Sequence, residues 1–270
     1  GSMSDNLIVG DALRETIRIA KYRTEEVDCT VTSPPYFALR DYGSEGQIGN
    51  GTVQGYIEYL SELAHVLRSI TAKDGTAWVN IGDTYNAYNH NRGPGNSFSS
   101  ARHAERASVP RGLTDPGLPN KSMLNIPWRV VQAFQSSGWI LRNDVIWRKP
   151  SPAPERVTDR FVRSYEHVFL FSRSDRYHFN MNDIRGDGER IPLDVWDIPT
   201  AKVKGHPAPF PVALPERCIR ASCKPGGRVF DPFTGSGSTW VAASNLDRQF
   251  LGIELSEDYA EIARRRANHV

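Results

Sequence analysis

Two short stretches of this 270-residue chain combine residue types and spacings that have a chemical meaning. In Val229-Phe-Asp-Pro-Phe-Thr-Gly-Ser-Gly-Ser-Thr239 an apolar run ends in an acid, Asp231, and a Gly-x-Gly turn leads into a helix that starts at Ser238 or Thr239. Glycines there let the backbone come close to a ligand, and a helix start offers free N–H donors. A phosphate loop is excluded, because the Lys that should precede Ser-Thr is absent and the glycine spacing differs. The dinucleotide fingerprint is incomplete as well, since Trp240 stands where its third glycine belongs. Seventeen residues past Gly237, the run Gln249-Phe-Leu-Gly-Ile253 ends at Glu254, placed to accept hydrogen bonds from two ribose hydroxyls. The unit suits a nucleoside without phosphates. The second stretch is Val27-Asp-Cys-Thr-Val-Thr-Ser-Pro-Pro-Tyr-Phe37, an apolar strand that stops at two prolines and then shows an aromatic ring. Taken alone it reads as a turn closing a strand; beside a Gly-x-Gly turn and Glu254 it reads as polar atoms held rigid at the open end of a buried strand.

The elements that position these stretches alternate strand with helix. Strands are expected at Leu7 to Gly10, Val27 to Thr32, Gly75 to Ile81, Trp139 to Trp147, His167 to Phe171, Arg228 to Phe230 and Gln249 to Ile253. Helical spacing runs over Ala12 to Ala20, Tyr56 to Ile70, Ile126 to Ser136, Ser238 to Asn245 and Glu257 to Asn268. The pattern predicts an α/β fold with a seven-stranded, mostly parallel, Rossmann-like sheet, helices on both faces, and ligands beyond the carboxyl ends of the strands. One domain over residues 3–270 is expected, with Gly1-Ser2 ahead of Met3 read as an expression remnant. Tyr85 to Pro119 is rich in Asn, Gly, Ser and Pro, and the inserted loop expected over 84–122 is too long to be a plain connection.

Charge is uneven along the chain. The formal net charge is +2, yet 84–122 carries five basic residues against two acids and 141–176 carries eight against five, so each segment is +3 and the remainder is −4. A polyanion is drawn to those segments, which suits a nucleic-acid cleft. Tyr85, Tyr88 and Phe98 interleave with Arg92 and Arg102 in the first of them. The three cysteines, Cys29, Cys218 and Cys223, make neither an even disulfide framework nor paired C-x-x-C knuckles, and read as small buried hydrophobes in a reducing compartment. His65 and His167 read as core or rim histidines, and Trp128, Trp139 and Trp147 as core. No apolar run reaches the roughly 18 residues of a membrane span, and a structural zinc is not expected.

In combination these motifs resemble a known family. Thr32-Ser-Pro-Pro-Tyr36 is similar to motif IV of the DNA amino-methyltransferases, and Asp231-Pro-Phe-Thr-Gly-Ser-Gly237 to their S-adenosylmethionine motif I. Glu254 falls at the motif II acid, His206-Pro-Ala-Pro-Phe-Pro211 at the segment ahead of motif I, and Val9-Gly-Asp-Ala-Leu13 resembles motif III. Catalytic motif first and cofactor motif last is the circularly permuted order of the β class, and the resemblance spans residues 6–262.

The resemblance implies a site-specific DNA methyltransferase that moves a methyl group from S-adenosyl-L-methionine to the exocyclic N4 amine of a flipped-out cytosine. It implies catalytic roles for Ser33, Pro34, Pro35 and Tyr36: Ser33 and the Pro34 carbonyl accept the two amine protons, and Tyr36 stacks on the base. Cofactor binding falls to Asp11, Ala12, Thr32, His206, Pro207, Phe210, Asp231, Pro232, Phe233, Gly235, Gly237, Thr239, Glu254 and Leu255. DNA contact is expected from Arg92, Arg102, Arg106 and Arg111 of the 84–122 loop and from Lys149, Arg156, Arg160 and Arg163, with 174–205 as a target-recognition segment. Ser at position 33, rather than Asp, points to cytosine, and N6 of adenine is the alternative. An RNA or protein-amide substrate, or an inactive DNA-binding relative, are the other readings. Carbon-5 chemistry is excluded, because no cysteine follows a proline. The expected setting is double-stranded DNA in a bacterial, archaeal or phage context, cytoplasmic and away from membranes. The resemblance leaves open a monomer or homodimer and a companion restriction endonuclease.

Overall fold

The computed structural model describes residues 6–22, 26–35, 52–86, 113–185, 190–201 and 210–269. In chain order its elements are β1 (Leu7–Val9), α1 (Ala12–Tyr22), β2 (Val27–Thr32), α2 (Val53–Ile70), β3 (Thr71–Ile81), α3 (Ile126–Ser136), β4 (Ile140–Arg148), β5 (Tyr165–Ser172), α4 (Met181–Ile184), β6 (Val195–Asp197), α5 (Ala213–Ser222), β7 (Arg228–Asp231), α6 (Ser238–Asn245), β8 (Gln249–Glu254) and α7 (Glu257–Ala267). The strands form one sheet in the order β1-β8-β7-β2-β3-β5-β4-β6. Every pairing is parallel except the two made by β5.

The sheet has eight strands among the described residues, one more than the sequence pattern predicts. The addition is β6, only three residues long, with Trp196 buried and its two neighbours exposed. So short a run has no alternation to read; pairing with β4 makes it a strand.

Period-two alternation divides the core between the faces of the sheet. Phe169 and Phe171 of β5 pack with Tyr56, Leu60, Leu67 and Phe134 beneath α1, α2 and α3. Val168 and Leu170 face the other way, against Trp78, Leu214, Ile219 and Ala242 beneath α5 and α6. Cys29, Cys218 and Cys223 are free thiols buried on this second side, and burial pushes the Cys218 thiol far up. Trp139 and Trp147 are core, but Trp128 is 41% exposed, edge-on to His167, and His65 lies on the exposed side of α2.

Local chemistry sets the helix ends. Thr52 caps α2 by accepting from the Gly55 amide at 3.1 Å, and Ser256 caps α7 by accepting from the Tyr259 amide. α7 also carries Glu257 and Asp258 in its first turn and Arg264 to Arg266 in its last, which matches its dipole. The α3 start is capped from a distance: Asp83 accepts from the Asn125 and Ile126 amides at 3.0 and 3.1 Å. This bond ties the chain after β3 to the head of α3.

Candidate active site

The sheet changes direction between β7 and β2. From β7 the order continues leftward to β8 and β1, and from β2 rightward to β3. Crossovers on opposite sides leave a crevice at the carboxyl ends of these two strands, where open α/β sheets hold ligands. β7 ends at Asp231 and β2 at Thr32, so the two sequence motifs meet at this point. They are joined directly: the Thr32 hydroxyl donates to Asp231 Oδ1 at 2.7 Å, and the Thr239 hydroxyl to the Val31 carbonyl at 3.3 Å.

On the β7 side the Gly-x-Gly turn is tightly held. Gly237 has φ +89°, a conformation that L side chains rarely adopt, and a Cβ on it would meet Ala263 of α7 at 2.9 Å. Arg266 of α7 donates to the Ser236 carbonyl and hydroxyl at 2.8 and 3.0 Å and to the Ser238 hydroxyl at 3.3 Å. Glu254 Oε1 accepts from the Gly235 amide at 2.9 Å and Oε2 from the Ser256 amide at 2.8 Å. Each carboxylate oxygen keeps a second lone pair for a ligand hydroxyl.

Asp231 is fully buried, and its Oδ2 has no hydrogen-bond partner among the described residues. Burial pushes this carboxyl up to about 7, outweighing the bonds from Thr32 and the Phe233 amide. Burial also raises the Glu254 carboxyl above the usual range, against the amides of Ser256 and Gly235. Acceptor oxygens of two buried acids around a glycine turn fit a ligand that brings hydroxyls, N–H groups and positive charge.

β1 delivers a third acid to the same edge. Val9 pairs with Glu254, and the Gly10 amide donates to the Glu254 carbonyl at 2.9 Å. Next in the chain, Asp11 Oδ2 caps α1 through the Arg14 amide, while Oδ1 accepts from the Tyr59 hydroxyl at 3.1 Å. Ala12, Pro232 and Thr239 are buried beside this cluster, Phe233 packs its ring 6.5 Å from that of Tyr59, and Leu255 is 38% exposed at the rim. Phe210 packs on the α5 side of the core.

On the β2 side, Ser33 donates its hydroxyl proton to Asn80 Oδ1 at 3.0 Å. The direction of that bond is fixed by the other end of the amide. Asn80 Nδ2 lies 3.1 Å from the His167 carbonyl, which can only accept, so the amide oxygen must face Ser33. With its proton committed, the Ser33 oxygen presents lone pairs alone. The Pro34 carbonyl accepts from the Tyr56 hydroxyl at 2.9 Å and keeps a second lone pair. Neither Asn80 nor Tyr56 stands out in the sequence. The one signal is a polar residue placed late in the apolar run Ala77-Trp-Val-Asn-Ile81.

The fold therefore brings Ser33, Pro34, Pro35, Thr32, Asp11, Asp231, Gly235, Gly237 and Glu254 to one edge. Tyr36, Tyr88, Phe98, His206, Pro207, Arg92, Arg102, Arg106 and Arg111 lie outside the described residues. Of the remaining candidate DNA contacts, Arg156 is exposed, whereas Lys149 is ion-paired with Glu166, and Arg160 and Arg163 both with Glu155. Among the described residues no group of three His, Cys, Asp or Glu side chains is placed to hold a metal ion.

Known proteins agree with this architecture. A family model described as DNA methylase matches residues 27–265. The Type II methyltransferase M.SmaI of Serratia marcescens is 41% identical, with 97% of this chain and 90% of that protein aligned. M.Cfr9I of Citrobacter freundii is 40% identical over 96% of this chain and 86% of its own. Among solved structures, the cytosine-N4-specific PvuII DNA methyltransferase has a TM-score of 0.71 at 22% identity, covering 96% of this chain and 85% of that one. A Thermus thermophilus protein described as a DNA modification methylase complexed with S-adenosyl-L-methionine has a TM-score of 0.66 at 23% identity, covering 98% and 94%.

Proposed function

The chain belongs to the DNA methylase family and is a site-specific Type II DNA methyltransferase; from that premise we propose that it methylates the exocyclic N4 amine of cytosine. The observation that carries the reading is the direction of the Ser33 hydrogen bond. An aromatic amine is a poor nucleophile because its lone pair is delocalised into the ring. Two acceptors that bind its N–H groups hold the nitrogen in a geometry that frees the pair. Ser33, its own proton given to Asn80, is one such acceptor, and the Pro34 carbonyl is the other. Both are fixed in advance by Asn80, Tyr56 and the prolines, so little reorganisation accompanies the reaction. Both are also neutral, and Ser in place of Asp at this position favours cytosine over adenine.

Bound S-adenosylmethionine supplies an electrophilic methyl group on a positively charged sulfur. The residues that fit it are Asp11, Ala12, Thr32, Asp231, Pro232, Phe233, Gly235, Gly237, Thr239, Glu254 and Leu255, with His206, Pro207 and Phe210 assigned on sequence. Glu254 accepts from the ribose hydroxyls, and the buried Oδ2 of Asp231 offers an acceptor beside the turn. The base is taken out of the duplex to reach Ser33, with Tyr36 as its stacking platform. The basic loops hold the DNA backbone, and a cytoplasmic site of action follows from that substrate.

The deciding experiment is chemical. Plasmid DNA methylated by the protein is digested to nucleosides and analysed by mass. N4-methylcytosine is the expected product, and N6-methyladenine would overturn the assignment.

The two buried carboxyls add a pH dependence whose sign is fixed. Asp231 is held near 7, above its value in an unfolded chain, so between about pH 4 and 7 the folded state binds more protons and loses stability as pH rises. A ligand that brings positive charge prefers the ionised acid. Cofactor affinity is therefore expected to rise up to about tenfold from pH 6 to pH 8. Calorimetry at the two pH values measures the change, and Asp231→Asn should flatten it.

A further inference from the structure

Residues 149–164 connect β4 to β5, and because β4 runs parallel to β3 and β5 against both, this connection opens on the same edge of the sheet as Ser33. Strand β5 lies two strand spacings, roughly 10 Å, from β2. The loop is stiff. Pro150, Pro152 and Pro154 restrict its first half, and the Lys149 amide closes its neck on the Ser164 carbonyl at 2.8 Å. Glu155 accepts from Arg160 Nη1 at 2.8 Å and from Arg163 Nε and Nη2 at 2.9 and 2.7 Å, and these bonds hold its carboxyl down to about 2.

The same arginines bolt the loop to the chain that follows β3. Arg163 Nη1 donates to the Asp83 carbonyl at 2.6 Å, three residues beyond the Asn80 that holds Ser33. Arg160 lies over the Tyr85 ring at 4.1 Å and Arg163 at 5.3 Å. Lys121 pairs with Asp159 across the same seam.

On the β5 side of this braced loop, three residues before the neck at Ser164, Phe161 is 96% exposed, with Val162 beside it at 42%. A lone apolar side chain on a surface is ordinary. Phe161 differs in that both its neighbours in the ion-pair cluster are committed to fixing the loop: Arg160 also donates to the Phe161 carbonyl at 3.0 Å. The ring is thus presented on a rigid backbone, and no described residue covers it. From Arg148 to Arg163 the segment carries five basic residues and two acids; Arg148 and Lys149 are paired outside it with Asp197 and Glu166, so the positive surplus that attracts a polyanion is the exposed Arg156 and the second arginine on Glu155.

We propose that Phe161 is a wedge that enters the duplex at the step from which the target base is withdrawn. Apolar side chains inserted between base steps are a known means of unstacking DNA. Here the ring replaces the stacking lost by the neighbours of the departing base, and the exposed Arg156 of the same loop meets a flanking phosphate. The inference rests on the reading that the target base leaves the stack.

The test uses the full chain and two short duplexes that carry the methylated sequence mapped on plasmid DNA. In one the target base is paired, and in the other it faces an abasic site, so that extrusion needs no unpairing. Phe161→Ala is expected to lower kcat/KM about tenfold on the paired duplex and less than twofold on the abasic one, whereas Phe161→Leu keeps most of the parental rate on both. Parental affinity separates the two ideas. Tighter binding of the parent to the abasic duplex supports extrusion itself, and equal binding removes the premise. If the parent prefers the abasic duplex and Phe161→Ala slows both substrates equally, or neither, Phe161 is no wedge.

Discussion

Ser33→Ala is expected to transfer methyl groups a hundredfold to a thousandfold more slowly than the parent in a single turnover with cofactor and DNA saturating. The substitution leaves the turn and both prolines in place and removes one preorganised acceptor at the reacting nitrogen, a loss of about 2.7–4 kcal/mol. Affinity for cofactor and duplex should stay within about twofold, because the hydroxyl contributes most when the amine becomes nucleophilic. Asn80 supplies a control. Asn80→Ala keeps the serine but frees its proton, so part of the rate should be lost with the same unchanged affinities. A parental rate in Ser33→Ala would leave the chemistry to the Pro34 carbonyl or another acceptor and remove the observation on which the N4 reading stands.

Glu254→Ala is expected to weaken S-adenosylmethionine binding by about two orders of magnitude. The carboxylate has two tasks. It fixes the glycine turn through the Gly235 and Ser256 amides, at 2.9 and 2.8 Å, and it keeps lone pairs for the ribose hydroxyls. Hydrogen bonds to a charged group contribute about 1.5–3 kcal/mol each, so loss of two ribose contacts costs about 3 kcal/mol or more, roughly 150-fold in affinity. Titration calorimetry reads this directly. Glu254→Gln keeps one acceptor oxygen and should fall between the two proteins. Unchanged cofactor affinity in a folded Glu254→Ala protein would take Glu254 out of the site.

The strands that carry the motifs were legible because each joins a buried apolar run to turn chemistry that few other contexts require. Val27 to Thr32 closed by Ser-Pro-Pro and Arg228 to Asp231 closed by Gly-x-Gly are of this kind, and their meeting at the switch in strand order follows from the parallel sheet. What escaped was mostly set by tertiary contact. Asn80 is a polar residue inside a strand until the fold puts the His167 carbonyl on one side and Ser33 on the other. Arg266 is one of three consecutive arginines on an amphipathic helix, and nothing local says that it, rather than Arg264 or Arg265, reaches Ser236. Counting charge along the chain treated Arg160 and Arg163 as open cations, while the fold sets both on Glu155, five and eight residues away. β6 was missed because its pairing with β4, and no pattern of its own, makes it a strand.

The strand order has a consequence for biosynthesis. β1, which begins at Leu7, has β8 as its sheet neighbour, and β2 meets β7 some 200 residues later in the chain, at Cys29 against Val229. A ribosome adding roughly 5–20 residues per second needs about 10–40 s to cover that separation. Throughout that interval the segment bearing Ser33 has emerged while Asp231 and Glu254 have yet to be made. The nascent chain thus exposes the apolar edges of β1 and β2 without the strands that cover them, and long-range pairings of this sort close late. On the site proposed above, a product that stops short of β8 is not expected to hold the methyl donor beside the serine, so activity is expected only once Glu254 has been made. An early stop or a frameshift before Glu254 is then expected to leave an inert polypeptide instead of a weak enzyme.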